Sequence, residues 1–167
     1  VITGGDDFRV LMWHPQLDAP LEVAEFKGKI SAIAVAPGYE RVAISSWDGS
    51  IRLLQVIHPM QTIGSPPFSA LPYDFYGHRS NVTDVAFAPN GRLFSASSDG
   101  TIRVWDGEDS AKTSRIIANQ GFGINRIIVT DNWLAYGALD GTTRVIDLAT
   151  EEEIADLTLD RRPILSM

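Results

Sequence analysis

The sequence contains no cysteine. Disulfides, thiol nucleophiles and cysteine-ligated metals are therefore excluded, and a reducing compartment suits the chain. No apolar run approaches the roughly 20 residues that a membrane-spanning helix needs, so no membrane contact is expected, and no secretory leader is visible. Basic charge is scarce, with 14 Lys and Arg against 21 Asp and Glu and a net charge of −7. That balance argues against a general electrostatic grip on nucleic acid. Helical periodicity is missing too; residues 109–112 come nearest and are too few to hold a helix. His14, His58 and His78 are scattered without ligand spacing, so no metal is expected. Glu151, Glu152 and Glu153 alternate faces of an extended segment, which suits a solvated edge. The paired glycines open no phosphate-cradling loop, and no cofactor is expected.

What is present is a repeat. The segment Tyr76 to Asp106 reads YGHRSNVTDVAFAPNGRLFSASSDGTIRVWD. It opens on Gly77-His78 and continues as an apolar strand, Val82–Ala88. Asn90-Gly91 is a turn pair that readily takes positive φ. A second strand, Arg92–Ser98, a tight turn at Asp99-Gly100 and a third strand ending on Trp105-Asp106 complete the unit. The frame recurs more loosely: Asp7, Asp48, Asp99 and Asp140 fall in equivalent turns at intervals of 41, 51 and 41 residues. The long interval places an insertion at His58–Ala70, whose three prolines read as a loop between strands. The outer strand of that unit is then expected at Tyr73–Tyr76.

These motifs resemble the WD-repeat family, and the resemblance extends over essentially the whole chain. It implies an all-β fold, a WD-repeat β-propeller of four-stranded antiparallel blades. The blades are expected at approximately 1–28, 29–77, 78–119 and 120–160, with 161–167 as the first strand of a further or closing blade. Apolar residues on both faces of the inner strands, such as Ile30, Ile33, Ala34 and Val35, suit blades packed on both sides. The resemblance also implies a hydrogen-bonded chain within the blade formed by His78, Ser95, Asp99 and Trp105. Parts of it recur as Thr3, Asp7 and Trp13, and as Asp48 and Asp140. The second unit has Ile44 and Leu54 at the Ser and Trp positions, and the fourth has Tyr136 and Ile146. A Ser-His-Asp catalytic triad is rejected, because the three residues sit at the spacing of a repeat and nothing supplies an oxyanion hole. Arg52, Arg103 and Arg144 share one repeat position and are read as neighbour-paired strand residues.

Propeller loops carry function on a rigid scaffold. In the WD family partner peptides often cross the face that holds the repeated Asp. The residues before that Asp are Asp6, Trp47, Ser98 and Leu139, and an aromatic such as Trp47 on a rigid turn is a good anchor. Connections into the inner strands add Lys27, Lys29, Arg79, Asn81, Phe122 and Asn125. The candidate partner-binding set is therefore Trp47, Arg79, Asn81, Ser98, Phe122, Asn125 and Leu139. An acidic or phosphorylated peptide fits this mixed aromatic and basic rim.

A propeller closes to remove its sheet edges. The family's common count of seven blades needs roughly 294 residues, so the chain is expected to be part of a larger ring. The remaining blades would come from the same protein, another chain or a second copy. The expected function is a protein–protein interaction scaffold in a multiprotein complex, without catalysis, in the cytoplasm or nucleus. The alternative is a propeller enzyme or carbohydrate-binding domain with a site in the central channel, and it requires convergent carboxylates there.

Overall fold

Short apolar segments bounded by turn residues form sixteen strands and, among the described residues, no helix. The structure, a computed structural model, describes residues 1–13, 15, 18–56, 68–70, 74–105 and 114–158, with the backbone alone for 68–70. All strand pairs are antiparallel, and they assemble into four sheets in sequence order. The first holds β1 (Ile2–Gly4), β2 (Arg9–Met12) and β3 (Leu21–Glu25). The second holds β4 (Ile30–Val35), β5 (Arg41–Ser46) and β6 (Ser50–Val56), with β7 (Phe68–Ala70) and β8 (Phe75–Tyr76) both on β6. The third holds β9 (Val82–Phe87), β10 (Leu93–Ser97), β11 (Thr101–Trp105) and β12 (Ser114–Asn119). The fourth holds β13 (Ile124–Val129), β14 (Trp133–Ala138), β15 (Thr143–Asp147) and β16 (Glu153–Asp156). These are the blades of an all-β partial propeller.

Two expectations about the second sheet are corrected. Phe68–Ala70, read as the end of an inserted loop, is a strand in register with the far half of β6: Val56 faces Phe68 and Leu54 faces Ala70. The outer strand expected at Tyr73–Tyr76 is reduced to Phe75–Tyr76, which covers the near half, Ser50 and Ile51. Two short segments thus share the edge of one seven-residue strand. The rest of His58–Ala70, residues 109–112, Asp106 and Arg162–Met167 lie outside the described residues.

Neighbouring sheets meet along their first strands: β1 adjoins β4, β4 adjoins β9, and β9 adjoins β13, with β1 standing at the repeat position of β10. Three apolar clusters fill the joints. Val10, Ala24 and Phe26 of the first sheet meet Val42, Ile44 and Leu54 of the second. Ala43, Ile51, Leu53 and Phe75 meet Val82, Leu93 and Trp105 of the third. Phe94, Ile102 and Val104 meet Ile124, Leu134, Tyr136 and Ile146 of the fourth. Each middle sheet is buried on both faces, so β10 is buried along its whole length. At roughly 1.5–3 kcal/mol for each large apolar side chain buried, these joints are the main source of cohesion between sheets.

Candidate interaction face

The repeated Asp organises each turn by accepting bonds two residues ahead. Asp48 Oδ1 accepts from the Ser50 N–H at 2.9 Å and its hydroxyl at 2.5 Å. Asp99 does the same with Thr101 at 2.9 and 2.6 Å, and Asp140 with Thr142 at 3.0 and 2.7 Å. Asp7 instead pairs with the Arg9 guanidinium at 3.0 Å, and that hydrogen bond holds its carboxyl below the usual range. The second oxygen reaches the incoming chain: Asp48 accepts from the Lys27 N–H at 2.9 Å and Asp99 from the Arg79 N–H at 2.8 Å. Gly28 beside the first of these has no room for a side chain, since a β-carbon there would stand 2.6 Å from the Asp48 nitrogen.

In the third sheet the Asp belongs to a longer chain. Trp105 Nε1 donates to Ser95 Oγ at 2.9 Å. Ser95 Oγ lies 2.7 Å from His78 Nε2, and His78 Nδ1 lies 3.2 Å from Asp99 Oδ2. The His78 side chain is fully buried, and burial pushes its pKa down to about 4 against the pull of Asp99. The ring is therefore neutral, and because the ionised Asp99 can only accept, Nδ1–H donates to it and Nε2 accepts from the Ser95 hydroxyl. Burial pushes Asp99 up, but the Thr101 hydroxyl and the Arg79 and Thr101 N–H groups outweigh it and hold it at about 2. In the first sheet Trp13 Nε1 donates to Thr3 Oγ1 at 3.0 Å. The second and fourth sheets bury Ile44 with Leu54 and Tyr136 with Ile146 at these places.

The repeat-position arginines pair with outer residues of their own sheets, and Arg52 also donates to the Glu25 carbonyl of the first sheet at 2.9 Å. Arg52 forks onto Asp74 at 2.6 and 2.7 Å, Arg103 donates to Ser114 at 2.6 Å, and Arg144 to Glu153 at 2.8 Å.

The turns and the lead-in segments meet at one end of the inner strands. The N–H groups of Trp47, Ser98 and Leu139 donate to the carbonyls of Lys29, Asn81 and Gly123 at 2.9, 2.9 and 2.8 Å. Around this seam opens a cleft of about 410 Å³ to which all four sheets contribute, from Asp6 through Trp47, Asn81 and Ser98 to Asn125 and Leu139. Trp47 is 48% exposed, and the Lys29 ammonium sits 5.3 Å from its ring centroid and pairs with Asp6. Of the candidate residues, Trp47, Asn81, Ser98, Asn125 and Leu139 line the cleft, whereas Arg79 and Phe122, both exposed, lie outside its lining.

Sequence reasoning missed Ser31 and Thr83. The inner strands of the second, third and fourth sheets each carry one extra residue against their neighbour: Ser31 in β4, Thr83 in β9 and Asn125 in β13. All three line the cleft. A bulge re-aims a side chain and is common beside functional sites. The signal was a polar residue at one repeat position in three inner strands. Asp84 was missed as well; it joins two sheets by accepting from the Ile127 N–H at 3.0 Å, and burial raises its pKa.

Residues 21–54 and 70–106 match the WD domain, G-beta repeat family. An E3 ubiquitin-protein ligase COP1 from Arabidopsis thaliana is 28% identical over 83% of the chain and 19% of its own length. The small ribosomal subunit protein RACK1 of Schizosaccharomyces pombe is 34% identical over 51% of the chain and 27% of its own. A poly(A)+ RNA export protein from the same yeast is 27% identical over 87% of the chain and 41% of its own. The chain carries WD repeats on a partial β-propeller, a repeat whose general role is to hold other proteins. It spans less than half the length of each of these relatives.

Proposed function

We propose that the chain is an interaction scaffold whose Asp-turn face receives a linear peptide in the four-sheet cleft, within a multiprotein complex. The observation that carries this reading is the convergence of Trp47, Ser98 and Leu139, one turn residue from each of three sheets, on a single concave surface. A half-exposed Trp on a turn fixed by backbone bonds is an anchor that loses little entropy on binding. Lys29 and Arg126 on the lining, with Arg79 and Lys27 nearby, favour an acidic or phosphorylated ligand. An acidic ligand would compete with Asp6 for Lys29.

The reading includes neither catalysis nor a cofactor, and it places the protein in the cytoplasm or nucleus, as the names of the ligase, ribosomal-subunit and RNA-export relatives suggest for them. Those relatives differ in role on one repeat, so the partner must be read from the site rather than the fold. The alternative, an enzyme or carbohydrate-binding domain, needs paired carboxylates at the channel; among the described lining residues Asp6 is the carboxylate, and it is already paired with Lys29. The blade boundaries at approximately 1–28, 29–77, 78–119 and 120–160 remain part of the same proposal. The test is affinity capture from cell extract with the chain and its Trp47→Ala variant, with the bound proteins identified by mass spectrometry. A set of proteins lost at least tenfold in the variant is expected. Capture unchanged by Trp47→Ala and by Leu139→Asp would overturn the reading.

A further inference from the structure

The opposite ends of the same strands hold a second concavity. It lies between the second and third sheets and has a volume of about 350 Å³, within the range of small ligand sites. Its floor is apolar: Leu53, Phe87, Leu93 and the edge of Trp105. Its rim carries Arg41 and Arg92, with Glu40, Gln55 and Asn90. The two arginines are 51 residues apart, the spacing of Asp48 and Asp99, so they hold one repeat position in neighbouring sheets.

Each guanidinium rests on an aromatic ring. Arg41 Cζ is 5.8 Å from the Phe87 centroid, and Arg92 Cζ is 5.3 Å from that of Phe94. Stacking orients a guanidinium through its flat face, so that it meets acceptors in its own plane. Arg92 also lies in the field of Glu151, which makes Arg41 the principal anion partner.

We propose that this cleft is a docking site for a linear peptide that inserts one apolar side chain between the sheets and places one adjacent carboxylate on Arg41. The occupant follows from charge and shape together. The apolar floor takes a Leu-sized group, and two arginines offset by Glu40 leave about one positive charge in the lining. That balance suits a single carboxylate and disfavours a dianionic phosphate beside Glu40. The site is separate from the Asp-turn face and does not depend on it. A scaffold with both surfaces could hold two partners at once.

The probe is a set of fluorescein-labelled decapeptides in a Gly-Ser background, each with one Leu followed by Glu, Gln, Lys or phosphoserine, read by fluorescence polarisation. The Leu-Glu peptide is expected to bind at least tenfold more tightly than the Leu-Lys and Leu-Gln peptides. Arg41→Gln should remove that preference, and Arg92→Gln should reduce it. Trp47→Ala should leave it intact, which separates failure here from failure of the Asp-turn reading. Both arginines are half-buried at the rim, and unchanged thermal melting would show that the glutamine variants fold. The proposal is overturned if no peptide binds, if Glu and Lys peptides bind alike, if phosphoserine binds best, or if Arg41→Gln has no effect.

Discussion

His78 is neutral because it is buried. Its folded pKa of about 4 lies below the unfolded value of 6.5, so between those values the unfolded chain binds the extra proton. Stability is therefore full above pH 6.5, falls as pH drops towards 4, and receives no further His78 contribution below that. The loss is at most about 3 kcal/mol, at 1.36 kcal/mol per pKa unit. Asp99, held at about 2 against 3.8, adds a separate loss below pH 3.8. Urea unfolding at pH 7, 5.5 and 4 checks this, with His78→Leu expected to be less stable at pH 7 but flatter across the interval. An equal slope in both proteins would sink the assignment. The residue types of this chain were legible because Gly-His, Ser, Asp and Trp stand at repeat spacing. The bonds that hold Asp48 and Asp140 to Ser50 and Thr142 were not, since a hydroxyl two residues after an Asp is too common to mark a turn.

At the scale of the element, turns were easier to read than ladders. Gly49, Gly100 and Gly141 follow the repeated Asp with φ of 88°, 83° and 87°, and Asp-Gly announces such a turn. The first sheet departs from this pattern, with Phe8 at φ 70° in the same place; the sequence shows the departure, but the conformation emerges in the fold. Bulges and split edges leave no such mark. An extra residue such as Thr83 does not disturb a six-residue apolar strand, and the strand at Phe68–Ala70 follows Pro66-Pro67, which argued for a loop. Gly100 carries a measurable consequence. A β-carbon there would meet the Gly121 nitrogen and the Phe122 carbonyl oxygen at 3.1 Å, whereas one at Gly38, φ 87°, would meet nothing within 4 Å. Gly38→Ala should cost about 1–2 kcal/mol from the left-handed conformation alone. Gly100→Ala should cost clearly more, because backbone must also move. Chemical denaturation of both variants checks the order, and equal losses would show that the turn gives way freely.

At the scale of the molecule, the sheets follow one packing rule. The trailing face of each sheet receives the leading face of the next, and the residue in the Trp position sits on that leading face. Trp105 is 3% exposed because the second sheet covers it; Trp13, its counterpart, is 48% exposed. At the other end, Ile128, Ala135, Val145 and Ala155 stand in one register row across the fourth sheet, and Ile128 is 42% exposed. Among the described residues no further sheet covers either face. The two faces are the halves of a joint that occurs three times inside the molecule, so they are suited to take further blades or to take each other. Such a heterologous joint either closes into a ring or runs on. Light scattering of the 167-residue chain at several concentrations is expected to show association that rises with concentration. A Trp13→Glu variant should shift it towards the monomer by placing a charge in the joint. A dimer would mean that two arcs complete one ring, and larger, heterogeneous mass would mean open-ended stacking. A monomer at every concentration would show that the end faces do not pair with each other and would remove a second copy from the candidate sources of further blades.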